Sequence, residues 1–215
     1  MKPTVVFDLD GTLLDSLADI TASFHHVLRE AGLPLPTGDA MADLIGRPLA
    51  EMFRRAAPET DEQALVQAYR RHYLAHMTDR TRPYPGVPEL LAALRRRGYA
   101  LAVATTKRTA TARRLAAATG LLPLLDHVQG TDGLPPKPAP DVVLAATRAV
   151  GGRGVCMVGD TTHDVHAGRA AGLCTYAVSW GTHRPEQLRR AEPDHLEPTL
   201  TPLLDLLGTP EPRLS

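Results

Sequence analysis

Short runs of apolar residues recur along the chain, and their lengths are those of buried strands. Each run is four to six residues long, rich in valine, alanine or other small apolar residues, and ends at a polar residue or a glycine. Such continuous apolar runs are typical of strands that are covered on both faces of a parallel sheet. The predicted strands are Thr4–Phe7, Ala100–Thr105, Gly154–Gly159, Cys174–Val178 and the weaker candidate Asp126–Gln129.

Amphipathic helical patterns separate these runs in the second part of the chain. In Pro88–Arg97, leucines at 90, 91 and 94 share one helical face, and Gly98 follows as a stop signal. Strands that alternate with helices indicate an α/β fold, here a Rossmann-like parallel sheet with helices on both faces. The other predicted helices are Thr109–Thr119, Pro140–Val150 and Asp164–Ala171.

Residues 15–80 interrupt this alternation. The stretch has helical patterns, with breaks at Gly32–Pro36 and Gly46–Pro48, and it contains no pattern typical of a strand. We therefore predict a small all-helical cap domain, 15–80, inserted into an α/β core domain made of 1–14 and 81–215. The pair Asp15 and Ser16 starts the first predicted cap helix and is expected to act as a hinge and N-cap, not as a catalytic element.

Composition and charge narrow the class of protein. The 215 residues are 43% apolar and carry a formal net charge of zero, so a sizeable core can form and an electrostatic nucleic-acid binder is not expected. No apolar run is long enough to span a membrane, and the N-terminus enters a strand without a signal-like segment. Cys156 and Cys174 lie in apolar runs and are expected to be core residues. We expect a cytoplasmic protein.

Polar residues stand where the predicted strands end. Ligands of open α/β sheets bind at the carboxyl ends of the strands, so these residues are the candidates for chemistry. One further candidate, Lys137, lies in a separate proline-rich loop and is one of only three lysines in the chain. The candidates at the strand ends are Asp8, Asp10, Thr105, Thr106, Lys107, Asp160 and Asp164.

The aspartates at these ends predict a metal site. Asp8 and Asp10 share one face of an extending strand, and Gly11 allows the chain to turn just after them. Carboxylates this close repel one another, Asp160 and Asp164 add to the charge, and hard oxygen ligands favour Mg²⁺. Each aspartate segment taken alone has a simpler interpretation as a turn or a helix N-cap. Their joint occurrence at strand ends, with Thr105 and Lys137 between them in sequence, argues against it.

The order and spacing of these residues resemble the haloacid dehalogenase-like superfamily over nearly the whole chain. Asp8–Leu13 resembles its first motif, Thr105 its second, Lys137 its third, and Gly159–Asp164 its acidic fourth. The helical insertion is similar to that of the subfamily with a small helical cap, and within it the chain is most similar to phosphoglycolate phosphatases.

This resemblance implies a role for each candidate residue. Asp8 would be the nucleophile that forms an aspartyl-phosphate, and Asp10 the general acid and base. Mg²⁺ would be held by Asp8, Asp160 and the backbone carbonyl of Asp10, while Asp164 would either bind the ion or orient its ligands. The residues implied to hold the phosphoryl oxygens are Thr105, Lys137 and Thr106, the last in place of an asparagine common in phosphoglycolate phosphatases.

Two details of the resemblance favour a phosphate ester over a haloacid or a phosphonate as the substrate. Dehalogenase relatives resemble this pattern without the second aspartate, so Asp10 favours phosphate chemistry. Phosphonatase relatives need a cap lysine, and residues 15–80 contain none. The predicted substrate is a small phosphomonoester, such as phosphoglycolate or a sugar phosphate, and Arg47 and Lys107 are candidates for contacting its remainder.

Three alternatives stay open at the level of sequence. A phosphosugar mutase and a pyrophosphatase would use the same residues, and a non-catalytic binding module would retain the fold without turnover. The sequence also leaves open whether the protein is a monomer or a homodimer.

Overall fold

The computed structural model of the protein describes residues 1–209. The strands in this range are β1 (Pro3–Phe7), β2 (Leu14–Asp15), β3 (Arg82–Pro83), β4 (Ala100–Ala104), β5 (His127–Gln129), β6 (Arg153–Gly159), β7 (Cys174–Val178) and β8 (His195–Glu197). The α-helices are α1 (Leu17–Glu30), α2 (Asp39–Ala42), α3 (Leu49–Ala56), α4 (Glu62–His76), α5 (Val87–Arg96), α6 (Thr109–Ala118), α7 (Asp141–Ala149), α8 (Thr162–Ala170), α9 (Pro185–Arg190) and α10 (Pro202–Leu207). A 3₁₀ turn covers Leu122–Leu124.

Six strands form one parallel sheet in the order β5-β4-β1-β6-β7-β8. This confirms the predicted α/β fold with a Rossmann-like sheet. The edge strand β8 is not predicted by the sequence, because Leu196 is its only apolar residue.

Helices cover both faces of this sheet. Val6 points to one face and packs with Val142, Val143 and Ala146 of α7. Its neighbours Val5 and Phe7 belong to the larger cluster on the other face, which also includes Leu91 and Leu94 of α5. The alternation of side chains along a strand explains why consecutive apolar residues of β1 are all buried.

The register of the sheet brings the candidate residues to one edge. Phe7 lies opposite Val103 of β4 on one side and Val158 of β6 on the other. The residues that follow each strand, among them Asp8, Thr105 and Asp160, therefore leave the sheet at the same end.

Residues 17–76 form helices α1–α4 and contain no strand. The helices share an aromatic core in which the rings of Phe24 and Phe53 stack with centroids 4.4 Å apart, and Tyr69 meets Phe53 edge-on. At the two ends of this helical stretch, β2 pairs antiparallel with β3, Leu14 opposite Pro83 and Asp15 opposite Arg82. The expectation that 15–80 holds no strand is therefore wrong at Asp15, since a two-residue ladder is too short to leave a pattern. Within residues 1–209 no helix is both long and apolar enough to cross a membrane.

Buried Asp19 ties the first turn of α1 to the returning chain. Its carboxylate accepts hydrogen bonds from the backbone N–H groups of Arg80 (3.0 Å) and Thr81 (2.8 Å) and from the Thr81 hydroxyl (2.8 Å). Burial alone would raise the pKa of Asp19, but these hydrogen bonds together outweigh it and hold the pKa below its ordinary value.

Replacing Asp19 by alanine is expected to lower the free energy of unfolding by about 3 kcal/mol, because two backbone N–H groups lose their acceptor. Since the folded pKa is lowered, this contribution is present at neutral pH and is lost as the pH falls through that lowered pKa. Urea unfolding at pH 7 and at acid pH measures both effects. The matched control is Asp205→Ala, at an exposed aspartate of α10, and an equal loss in the two variants would contradict the assignment.

Candidate active site

Lys137 holds the centre of the candidate site together. It lies in the loop before α7 and is only 4% exposed. Its ammonium donates hydrogen bonds to Asp8 Oδ1 and Asp164 Oδ1, both at 2.5 Å, and to the backbone carbonyl of Ala104 at 3.0 Å. One lysine thus joins the carboxyl ends of β1 and β4 and the first turn of α8.

The carboxylates around this lysine carry more negative charge than it neutralises. Burial raises the pKa of Asp8 well above its ordinary value. The charge of Lys137 lowers this pKa, but the charges of Asp164, Asp160 and Asp10 raise it further. Burial, with the charge of Asp164, raises the pKa of Asp160 to about 6. The pKa of Asp164 lies below its ordinary value, because Lys137 and hydrogen bonds from Thr161 together outweigh burial.

Asp160 is fully buried and is held at both oxygens. Thr12 Oγ1 donates to Oδ1 and the backbone N–H of Thr182 donates to Oδ2, both at 2.7 Å. Gly11 has a φ of +85°, and a Cβ there would lie 2.2 Å from Asp160 Oδ2. The glycine of the first motif is therefore required both by the turn and by the approach of Asp160.

Asp164 serves the helix as well as the site. Thr161 is the N-cap of α8 and forms a reciprocal capping box with Asp164, whose Oδ2 accepts from Thr161 Oγ1 (2.6 Å) and Thr161 N (3.0 Å). The helix starts at Thr162, two residues before the predicted start. The other oxygen, Oδ1, remains directed at Lys137.

Three of the aspartates form a group that fits a divalent metal ion. Asp8, Asp160 and Asp164 each offer a carboxylate oxygen, and these atoms lie within 4.8 Å of one another. All three are buried, and a bound cation would offset the burial and the repulsion that together raise the pKa values of Asp8 and Asp160. The carboxylate of Asp10 is not part of this group.

Asp10 lies in a separate set of contacts. Its Oδ1 accepts from the hydroxyl of Ser16 at 2.6 Å, and its Oδ2 lies 2.9 Å from the ammonium of Lys107. Ser16 occupies the N-cap position of α1 as expected, but its side chain makes no capping hydrogen bond. The predicted N-cap position is therefore confirmed for Ser16, but its hydroxyl bonds to Asp10 instead of capping the helix.

Lys107 is positioned by the insertion as well as by Asp10. Its ammonium lies 4.6 Å from the centre of the Tyr73 ring of α4. Burial disfavours its charge, but Asp10 above all holds its pKa above the ordinary value. Thr12 lies within the first motif, although its contact with Asp160 is visible only in the structure. The sequence offers no signal for Ser16 or Tyr73 as members of the site, because their contacts with Asp10 and Lys107 depend on the fold.

One cavity of about 520 Å³ joins these groups. Thr105 is buried, and its hydroxyl accepts a hydrogen bond from the backbone N–H of Lys107 at 3.3 Å, while Thr106 is half-buried beside it. Arg47 also lines the cavity, held by Glu51 (3.0 Å) and by the carbonyl of Asp43 (2.8 Å). The predicted site residues that line the cavity are Asp8, Asp10, Arg47, Thr105, Thr106, Lys107, Lys137 and Asp164, whereas Asp160 lies buried outside that lining.

A family model described as haloacid dehalogenase-like hydrolase matches residues 5–178. The chain therefore belongs to the haloacid dehalogenase-like hydrolase family, and the predictions of family and of a hydrolase are confirmed. A haloacid dehalogenase-like hydrolase from Streptococcus pneumoniae has the same fold, with a TM-score of 0.87 and 27% identity over 97% of this chain and 99% of that one.

Curated relatives match along most of their lengths. A probable phosphatase, IndB, of Dickeya dadantii is 40% identical and is aligned over 94% of this chain and 91% of its own. The pyrophosphatase PpaX of Halalkalibacterium halodurans is 36% identical over 95% and 96% of the two chains. A phosphoglycolate phosphatase of Agrobacterium fabrum is 35% identical over 84% and 82%.

Proposed function

We propose that this protein is a Mg²⁺-dependent phosphatase that hydrolyses a small phosphomonoester, of the phosphoglycolate or sugar phosphate kind, through an aspartyl-phosphate on Asp8. The observation that carries the proposal is the separation of two aspartates on one loop. Asp8 faces Lys137 and the metal-fitting carboxylates, whereas Asp10 faces Ser16 and Lys107. Two carboxylates in different surroundings suit the roles of nucleophile and of acid and base.

The proposed reaction has two displacements at phosphorus. In the first, a carboxylate oxygen of Asp8 bonds to phosphorus, the ester P–O bond breaks, and the leaving alcohol takes a proton from Asp10. In the second, Asp10 takes a proton from water, whose oxygen bonds to phosphorus and releases phosphate from Asp8. Lys137, Thr105 and Thr106 would hold the phosphoryl oxygens.

The group that fits a divalent metal is assigned to Mg²⁺ in this proposal. Asp8, Asp160 and the backbone carbonyl of Asp10 would hold the ion, with Asp164 as a ligand or a positioning residue. When bound, Mg²⁺ would supply positive charge for the phosphoryl oxygens, which phosphoryl transfer requires. Oxygen-only ligands, all of them carboxylates or carbonyls, support this choice of metal.

The insertion is assigned the role of a cap. Residues 15–80 would form the cap domain, and 1–14 with 81–215 the catalytic core domain, of which 210–215 lie outside the described residues. The short β2–β3 ladder at the junction and the cap residues along the cavity support this division. Closure of the cap would exclude water before the first displacement.

The first experiment is a phosphate-release assay of the purified protein with p-nitrophenyl phosphate, phosphoglycolate, sugar phosphates and pyrophosphate. We expect release from monoesters with Mg²⁺, loss of release with EDTA, and recovery when Mg²⁺ is restored. Faster release from pyrophosphate than from every monoester would favour the second candidate, a pyrophosphatase, which the relative PpaX supports. Release that EDTA leaves unchanged would contradict the metal assignment.

A further inference from the structure

Two cysteines lie side by side on neighbouring strands of the sheet. Cys156 of β6 and Cys174 of β7 are register partners, and they are the only cysteines in the chain. We propose that this pair is a site of reversible oxidation, at which a hydroperoxide converts the two thiols into an intramolecular disulfide. Cys174 begins β7 and lies at the end of the parallel sheet opposite to the aspartates, so this chemistry is independent of the proposed phosphatase function.

The register of β6 and β7 places the two thiols within reach of each other. Neighbouring strands lie about 4.8 Å apart, and register partners of parallel strands direct their side chains to the same face. Cys156 belongs to the larger apolar cluster and Cys174 packs against it, whereas Met157 and Leu173 pack on the opposite face. A disulfide requires Cα atoms about 4.4–6.8 Å apart and Cβ atoms that do not point away from each other. The pair meets both conditions while the strands stay paired.

The two thiols differ in exposure, which gives them different roles. Cys156 is fully buried, as expected of a core residue, whereas Cys174 is only partly buried. A hydrogen bond from the Cys156 thiol holds the pKa of Cys174 below its ordinary value, against burial and the charge of Asp194. The same hydrogen bond, with burial, raises the pKa of Cys156 well above its ordinary value. A partly exposed thiol with a lowered pKa beside a second thiol is the arrangement that peroxides oxidise selectively.

The proposed oxidation has two steps. In the first, the thiolate sulfur of Cys174 bonds to the terminal oxygen of the hydroperoxide and the O–O bond breaks. The other oxygen leaves as water or an alcohol with the proton that Cys174 has lost, and Cys174 becomes a sulfenic acid. In the second, the sulfur of Cys156 bonds to that of Cys174, the S–O bond breaks, and the hydroxyl leaves as water with the Cys156 proton. The two thiols together lose two electrons, which reduce the peroxide.

The test treats the reduced full-length protein with a small molar excess of hydrogen peroxide, once in its native fold and once in urea. We expect the native protein to lose two hydrogen atoms by intact mass spectrometry, to lose both thiols that iodoacetamide labels, and to regain both with dithiothreitol. Disulfide formation should be at least about tenfold faster in the native protein than in urea, because the register holds the sulfurs together. An unchanged mass, a disulfide that forms no faster than in urea, or oxidation of Cys174 to a sulfinic acid without a disulfide would overturn the inference.

Two substitutions separate the roles of the thiols. In Cys156→Ala, oxidation is expected to stop at the sulfenic acid of Cys174, which dimedone labels. In Cys174→Ser, the buried Cys156 is expected to keep its thiol under the same conditions. Faster oxidation of Cys156 in the second variant than of Cys174 in the first would contradict the assignment. The comparison of native and unfolded protein needs no substitution, so it remains decisive if either variant fails to fold.

Discussion

Replacing Asp8 by asparagine is expected to reduce phosphate release by about 10⁴-fold or more, because the amide cannot attack phosphorus. The fold is expected to persist, since the asparagine carbonyl can still accept the hydrogen bond from Lys137. Burial and the neighbouring charges of Asp164 and Asp160 both disfavour the ionised form of Asp8, so the loss of its charge relieves both effects. Steady-state kinetics measure the loss of phosphate release, and thermal unfolding of the metal-free protein measures whether the fold persists.

A Tm no lower than that of the unmodified protein is the control for this variant. If Asp8→Asn lost activity together with its fold, the loss would report structure rather than chemistry. Substantial turnover by the folded variant would contradict the role of nucleophile.

Asp10→Asn is the second variant with a large expected effect, a loss of kcat by about 10²–10⁴-fold. The amide neither protonates the leaving alcohol nor removes a proton from water. With p-nitrophenyl phosphate, whose leaving group needs little help from an acid, the second displacement alone becomes slow. We therefore expect a burst of nitrophenol equal to the enzyme concentration, followed by slow turnover, in stopped-flow measurements.

Asp15→Asn is the matched control, since Asp15 of β2 is a nearby aspartate whose side chain is exposed. It should retain kcat and show no burst. An Asp10→Asn enzyme that keeps kcat with alkyl phosphates would contradict the assignment of acid and base to Asp10.

The fold could largely be predicted from sequence because its sheet is parallel and buried. Strands such as Ala100–Ala104, which is buried along its whole length, leave continuous apolar runs. Short strands that form only by pairing with a neighbouring segment leave no apolar run in the sequence. His195–Glu197 becomes a strand only beside β7, and Leu14–Asp15 only beside Arg82–Pro83.

The residues that meet in the candidate site could be named from the sequence, but their contacts could not. Strand ends identify Asp8, Thr105 and Asp160, because the end of a strand is visible in the sequence. The hydrogen bond from Thr12 to Asp160 joins residues 148 positions apart, and that from Ser16 to Asp10 replaces an expected helix cap. Both depend on how the chain turns at Gly11, which local patterns do not determine.

The most direct test of the account is chemical trapping of the phosphorylated enzyme. The protein would be mixed with Mg²⁺ and substrate, quenched in acid during turnover, and reduced with borohydride, which converts an aspartyl-phosphate to homoserine. Peptide mass spectrometry should then find homoserine at position 8 and not at position 10, and none when substrate is omitted. Rapid phosphate release without modification at Asp8, or with modification at another aspartate, would contradict the central claim.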